Sequence, residues 1–307
     1  MADVAPTEPA GARHERGALL ESAVAAAVLG TAAVVAGLAS RSAVVLFDGL
    51  YTLAGIALVG VSALASRAAT SRPGGRYPFG RHAATPLAVV VQGAALIATL
   101  LYGAADAVGT LLAGGSDADP TTMLAYGGAS AVVSALVAWR LRRRSGDSAL
   151  VDAEVVSWWA GAAISLAVGL GGVVAAVLAA GGRDGAAGYV DPVLLLVVVL
   201  LVARLPVRLL RDGTHELLEG APPPEVDAAV RAAVETVRAA FDLPAPLVRA
   251  TKLGRRLYVE VDFVVRPGRW DVDAEDEVRR AVVSRLRDLP LDVWATVELT
   301  ADPGLAG

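Results

Sequence analysis

The sequence predicts an α-helical membrane protein with a six-helix transmembrane bundle followed by a small α+β domain. Three observations support this prediction. The 307 residues are 55% hydrophobic and 19% charged, and the mean hydropathy of +0.56 is well above that of soluble globular proteins. Six apolar stretches are each long enough to cross a bilayer. After them, the periodicity changes to short helices and strands.

The six spans follow a polar N-terminal region. Residues 1–17 are rich in alanine and proline without an apolar core, so we expect a disordered tail and no cleaved signal. A span needs about 20 mostly apolar residues. The stretches that qualify are Leu19–Leu38, Val44–Ser66, Pro86–Leu112, Met123–Trp139, Val151–Ala180 and Val190–Leu210. Together they define a transmembrane domain over residues 18–211.

The arginines predict how the spans are oriented. Twelve of them lie before span one, between spans two and three, between spans four and five, or at the end of span six. The alternate connections hold only Arg41 and Arg183. Because basic loops stay in the cytoplasm, we expect a multi-pass protein of the cell membrane with both termini cytoplasmic. The twelve are Arg13, Arg16, Arg67, Arg72, Arg76, Arg81, Arg140, Arg142, Arg143, Arg144, Arg208 and Arg211.

A proline-rich linker, residues 212–223, separates the bundle from a second domain, because "APPP" cannot continue a helix. Residues 212–307 hold 12 basic and 18 acidic residues, a net charge of −6, so nucleic acid is not expected as a partner. Within the domain, residues 224–307, helical spacing and strand alternation follow one another in the order α, β, β, α, β. This order predicts two layers, with the helices on one face of a sheet.

Asp48 is the most informative residue for function, because it is the one carboxylate in the apolar stretch from Ser42 to Leu64. An ionised aspartate inside a bilayer is costly unless something pairs with it. Thr52 lies one helical turn further on, so both side-chain oxygens can face one direction and bind a hard or borderline cation. The alternative is a hydrogen-bonded aspartate that caps a neighbouring helix.

Span five begins with two further acids, Asp152 and Glu154. Either they contribute to a site, or they are interfacial residues that pair with the arginines at 142–144 or lie in the first turn of a helix. Asp106 and Asp191, near the ends of spans three and six, are expected to be helix-end residues.

Other motifs narrow the function. The chain has no cysteine, which excludes disulfides and thiolate metal sites. It also has no P-loop, GxSxG or HExxH motif, so we expect no enzymatic activity and no resident cofactor. His82 and His215 lie outside the spans, where each is either a metal ligand or a solvated loop residue.

The local sequence resembles the cation diffusion facilitator family of divalent-metal transporters over nearly the whole chain after residue 17. The matching segments are "DGLYTLAG", "RYPFGRHAATPLAVVVQG", "DAEVVSWWAGAAIS", "YVDPVLLLVVVLLV" and "HELLEGAPPPEV". The resemblance implies a homodimer with a ferredoxin-like cytoplasmic domain. It also implies exchange of Zn(II) or a related ion for protons.

The resemblance further implies a transport site with two carboxylates four apart in span two and a His or Asp plus an Asp, also four apart, in span five. Asp48 matches the first position, and Thr52 replaces the second carboxylate. Ser157 and Gly161 fall on the two positions in span five. The predicted metal site is therefore Asp48, Thr52 and Ser157, with Glu154 one turn away. Oxygen donors of this kind suit Mn(II), Mg(II) or weakly held Zn(II).

These observations predict a secondary transporter that exports a divalent cation of the Zn, Mn, Fe, Co or Cd class in exchange for protons. The departures from the family pattern support an alternative, a transport-deficient member that acts as a scaffold or as one subunit of a heterodimer. A third possibility is a transporter of a different solute.

Overall fold

The predicted bundle is confirmed by the structure, a computed structural model that describes residues 10–71, 74–143 and 149–306. Within these ranges, six helical segments are long and apolar enough to cross a membrane. The helices are α1 (Ala10–Ser40), α2 (Ala43–Ala69), α3 (Ala84–Leu112), α4 (Pro120–Arg142), α5 (Ala149–Ala180), α6 (Asp184–Ala187), α7 (Val190–Val202) and α8 (Arg204–Leu217). The last three together form the sixth segment.

Three helix boundaries differ from the expected ones. Helix α1 begins at Ala10, inside the predicted tail, of which residues 1–9 lie outside the described residues. The sixth segment is interrupted at Ala203, because Pro206 has no backbone N–H to donate to the carbonyl of Val202. Helix α8 then continues to Leu217, so the first half of the predicted linker is helical.

Side-chain caps determine where two of the spans begin. The Asp119 carboxylate accepts hydrogen bonds from the backbone N–H groups of Thr121 and Thr122, each at 3.1 Å, and so caps α4. The Thr122 hydroxyl and these N–H groups lower the pKa of Asp119 below its usual value. Ser42 caps α2, with its Oγ 3.4 Å from the backbone nitrogen of Val45.

The chain folds as two compact units. The first contains the described residues up to Gly60 together with Ala94–Val207, and the second contains Val61–Gly93 together with the residues from Arg208 onward. Helices α2 and α3 thus each contribute to both units.

In the first unit, α4 and α5 form the most extensive helix pair. Their backbones approach closely at glycine: a Cβ added to Gly172 would lie 2.6 Å from the backbone nitrogen of Leu124. Such small residues allow membrane helices to pack tightly. A buried apolar cluster lies alongside this pair and consists of Val44, Val45, Phe47, Leu100, Ala107, Met123, Val168, Leu195, Val198 and Val199. Asp48 directly follows a member of that cluster.

The second unit confirms the predicted order α, β, β, α, β. Its elements after α8 are α9 (Pro224–Ala240), β1 (Leu247–Leu253), β2 (Arg256–Val264), α10 (Val272–Leu286) and β3 (Asp292–Thr300). Strand β2 is central, antiparallel to β1 and parallel to β3. Alternate β2 side chains, from Leu257 to Phe263, pack with apolar residues of α9 and α10 in one core. The C-terminal region therefore has two layers and a hydrophobic core of its own.

Candidate functional site

Asp48 lies in the second turn of α2, about 7.5 Å along the axis from the first residue of that helix at 1.5 Å per residue. Its side chain is half-buried. The phenol of Tyr126, in α4, donates a hydrogen bond to Asp48 Oδ2 at 2.5 Å. Within the described ranges, this carboxylate in an apolar helix is thus paired with a neutral hydroxyl from a neighbouring helix and with no basic side chain.

A chain of hydroxyl groups extends from this pair. The Ser130 side chain lies one helical turn along α4 from Tyr126, close enough to its phenol to interact with it. Ser130 Oγ lies 3.0 Å from Ser165 Oγ of α5, and both serines are buried. The polar path therefore runs from Asp48 through Tyr126 and Ser130 to Ser165, across three helices. We call these four residues the hydroxyl chain.

Thr52 is directed toward a different neighbour. A Cβ added to Gly30 of α1 would lie 3.2 Å from the Thr52 methyl carbon, so the methyl group packs against α1. Asp48, one turn earlier on the same helix, contacts α4. The two residues predicted to act together are therefore close along α2 but have partners on separate helices.

Glu154 and Ser157 lie in α5, within another polar group. Ser22 of α1 donates its hydroxyl to Glu154 Oε2 at 2.5 Å and accepts a hydrogen bond from Trp158 Nε1 at 2.8 Å. The next residue of α1, Glu21, forms an ion pair with Arg140. Ser157 is exposed. Glu154 thus joins α5 to α1, and Trp158 is a buried packing residue.

Among the described residues, none of Thr52, Glu154 and Ser157 forms a hydrogen bond or an ion pair with Asp48. The described parts of the chain also contain no group of three or more His, Cys, Asp or Glu side chains arranged to hold a metal ion. The predicted site of these four residues stays a prediction.

Asp191 is a second acid in the bundle, and it has three donors. The Ser42 hydroxyl lies 2.5 Å from Asp191 Oδ1, and the backbone nitrogens of Ala43 and Val44 lie 3.0 and 3.4 Å from its two carboxylate oxygens. These donors form the N-terminus of α2, where the helix dipole favours a negative charge. Asp191 is therefore a helix-end residue, and it caps the neighbouring helix rather than its own.

Three other polar residues of the spans were considered from the sequence. Asp106 in α3 and Asp152 in α5 are exposed. Gln92 donates a hydrogen bond to Ser62, which links α3 to α2 within the second unit. Polar side chains commonly form hydrogen bonds of this kind between membrane helices.

His82 lies in a loop and His215 in the last turn of α8, and the two have separate surroundings. Burial and the nearby Arg256 guanidinium lower the pKa of His82, and its Nε2 is buried with no hydrogen-bond partner in the described residues. His215 Nε2 lies 3.0 Å from the carbonyl oxygen of Ala221. His82 is thus half-exposed with one ring nitrogen enclosed, and the two alternatives that the sequence left for it, metal ligand or solvated residue, both stay open.

Sequence reasoning did not identify Tyr126, Ser130 or Ser22. A signal was present for the first two, because "YGGAS" in span four places a tyrosine and a serine one helical turn apart in an apolar segment. No comparable signal marked Ser22, since a serine near the end of a span is common and its partner lies 132 residues away.

A family model, the cation efflux transmembrane domain, matches residues 19–218. The match is almost two thirds of the chain and includes all six membrane-spanning segments. The chain belongs to the cation efflux family. No curated protein matches it.

Members of the cation efflux family are transporters of metal cations, and this protein is a multi-pass membrane protein of that family. The matched region ends within the first residues after α8, so the sheet and its two helices lie outside it.

Proposed function

We propose that this cation efflux protein exports a divalent cation in exchange for protons, and that Asp48 is the carboxylate that binds the two in turn. The observation that supports this most is the contact of Asp48 with one neutral hydroxyl group. A carboxylate inside a membrane span is functional by default, and no basic residue in the described ranges forms an ion pair with this one.

The chemistry of the surroundings limits the class of cation. Asp48, Tyr126 and Thr52 offer oxygen atoms, and no thiolate is available because the chain lacks cysteine. Oxygen ligands completed by water suit Mn(II), Mg(II) or weakly bound Zn(II) better than a soft metal. The cation is the cargo in this proposal, and no resident cofactor is part of it.

The proposal includes an orientation and an assembly. The arginine distribution supports a protein of the cell membrane with both termini in the cytoplasm, because basic loops are retained on the cytoplasmic side. The family resemblance supports a homodimer with a ferredoxin-like cytoplasmic domain. For that domain we propose a role in dimerisation rather than metal sensing, since no histidine follows His215.

A second function is favoured by one specific observation. The positions that correspond to the family's other ligands hold Thr52, Ser157 and Gly161, and the nearby Glu154 is bonded to Ser22. A member without transport activity, acting as a scaffold or as a subunit of a heterodimer, would have such a sequence. Flux by the purified protein alone separates the two functions.

The test is uptake of Mn(II) or Zn(II) by liposomes that contain only the purified protein, with an opposing proton gradient. Because replacing even an outer partner of a metal ligand commonly costs 10–100-fold, we expect Asp48→Asn to reduce uptake by at least about 100-fold. Asp106→Asn is the matched control, since Asp106 is an exposed acid in α3. We expect this variant to transport like the wild type.

Two results would contradict the proposal in different ways. No flux of either ion by the wild-type protein alone would favour the scaffold or heterodimer function. Wild-type flux in Asp48→Asn would mean that transport does not use this carboxylate.

A further inference from the structure

Tyr126 is the one residue of the described chain that forms a hydrogen bond with the Asp48 side chain, with its phenol oxygen 2.5 Å from Oδ2. Hydrogen bonds to an ionised carboxylate are stronger than those between neutral groups. A carboxylate group has about four lone-pair positions, and the phenol occupies one of them. Tyr126 can therefore hold the carboxylate in one orientation while other positions stay open to a cation.

Among the described residues, no other hydrogen bond and no ion pair holds the Asp48 carboxylate in that orientation. The methyl group of Thr52 packs toward Gly30 of α1, and Glu154 accepts the Ser22 hydroxyl. Gly49, the residue after Asp48 in α2, contacts α1. A Cβ added to Gly49 would lie 2.6 Å from the backbone nitrogen of Val34. The backbone of α2 is thus fixed by α1, whereas the carboxylate is directed by α4.

Tyr126 is in turn held in place on its far side. The Ser130 side chain lies next to the phenol, and it is hydrogen-bonded to Ser165. The phenol can accept from Ser130 while it donates to Asp48, so its single proton stays directed at the carboxylate. The close contact of α4 with α5 fixes both serines in buried positions.

We propose that Tyr126 is a positioning residue of the transport site, which substitutes for the second carboxylate of span two by orienting Asp48 toward the cation, with Ser130 and Ser165 supporting it. This inference rests on the proposed function of Asp48. It assigns the completion of the site to α4, whereas the family resemblance assigned it to span five.

The test is Tyr126→Phe, which keeps the ring and removes the hydroxyl. We expect the KM for Mn(II) or Zn(II) in liposomes to rise about tenfold, equivalent to about 1.4 kcal/mol and typical of one lost hydrogen bond to a charged group. The maximal rate per folded molecule should change by less than about twofold, since Asp48 remains and the loss is one of binding. Ser130→Ala should raise KM by about threefold, because it removes only the support of the phenol.

Tyr51→Phe is the matched control. Tyr51 also lies in α2, half-buried, and its ring stacks on Phe47 with centroids 5.8 Å apart. Its hydroxyl has no hydrogen bond to any residue that the structure describes. The same chemical change should leave KM unaltered there. A purely structural contribution of Tyr126 would lower the amount of folded protein, and with it the maximal rate, but would not raise KM.

Asp48→Asn separates a failure of the inference about Tyr126 from a failure of the proposed function of Asp48. If Asp48→Asn is inactive while Tyr126→Phe has the wild-type KM or a lower one, the inference about Tyr126 is wrong and the proposed function stands. If Asp48→Asn transports like the wild type, both are wrong.

Discussion

Asp48 and Asp191 lie in the same helical unit, and both are acids within apolar spans, but their partners differ. Asp191 is 1% exposed and accepts hydrogen bonds from the Ser42 hydroxyl and from two backbone N–H groups. Asp48 is half-buried and accepts one hydrogen bond, from the phenol of Tyr126. The donors of Asp191 are mostly backbone groups, whereas the donor of Asp48 is a single side chain that leaves other lone-pair positions of the carboxylate open.

On our proposal, this difference separates a structural acid from a functional one. The N–H groups at the start of α2 have no acceptor within the helix, and the Asp191 carboxylate accepts hydrogen bonds from them. If Asp191 exchanged these partners for a ligand, the N–H groups would be left unpaired. Asp48 does not cap a helix end, because its backbone is part of a regular helix. The one donor that the structure describes for its side chain is the neutral phenol of Tyr126. A cation or a proton can therefore bind to the carboxylate beside that donor at little cost to the fold.

The largest effect on folding is expected at Asp191. Asp191→Ala leaves three buried donors unpaired, so we expect the free energy of unfolding to fall by about 2 to 3 kcal/mol. Ser42→Ala keeps both backbone donors and should cost about 1 kcal/mol. Denaturant titration in detergent measures both changes.

In both of these variants, cation uptake per folded molecule should stay close to that of the wild type. Asp106→Ala, at an exposed position, is the control and should unfold like the wild type. If Asp191→Ala lost cation uptake per folded molecule without any loss of stability, Asp191 would be a functional residue like Asp48, and the proposed difference between the two aspartates would be wrong.

A smaller effect is expected at Glu154. Glu154→Gln retains an oxygen that can accept the Ser22 hydroxyl and removes only the charge. We therefore expect uptake to change by less than about twofold and stability by less than about 1 kcal/mol. The liposome assay used for Asp48→Asn measures the first quantity. An equally large loss in Glu154→Gln and Asp48→Asn would mean that one site includes both acids.

The spans could be predicted from the sequence because each is determined by its own composition and length. The αββαβ order followed from periodicity in the same way, since "RLYVEVDFVV" alternates between a buried and an outer face whatever surrounds it. The break in the sixth span was harder to predict, because the segment is apolar and its composition does not mark an interruption. The break follows from Pro206, which has no N–H to donate to the carbonyl of Val202.

The partners of the polar residues could not be predicted, because they depend on which helices are neighbours. Tyr126 is 78 residues from Asp48, and Ser22 is 132 residues from Glu154. An i, i+4 rule correctly places Thr52 near Asp48 along the helix, but it carries no information about the rotation of α2 against α1 and α4. That rotation sends the Thr52 methyl group toward Gly30.

The most direct test of the central claim is the proton flux that a cation gradient drives through purified protein in liposomes with a pH-sensitive dye inside. With equal pH on both sides and Mn(II) or Zn(II) added outside, exchange moves the cation inward and protons outward, so the lumen of wild-type vesicles should become more alkaline. Asp48→Asn vesicles should show no pH change, because that side chain neither binds a proton nor carries the charge that the cation needs. An unchanged cation-driven proton flux in Asp48→Asn would contradict the account and leave Asp48 a structural residue like Asp191.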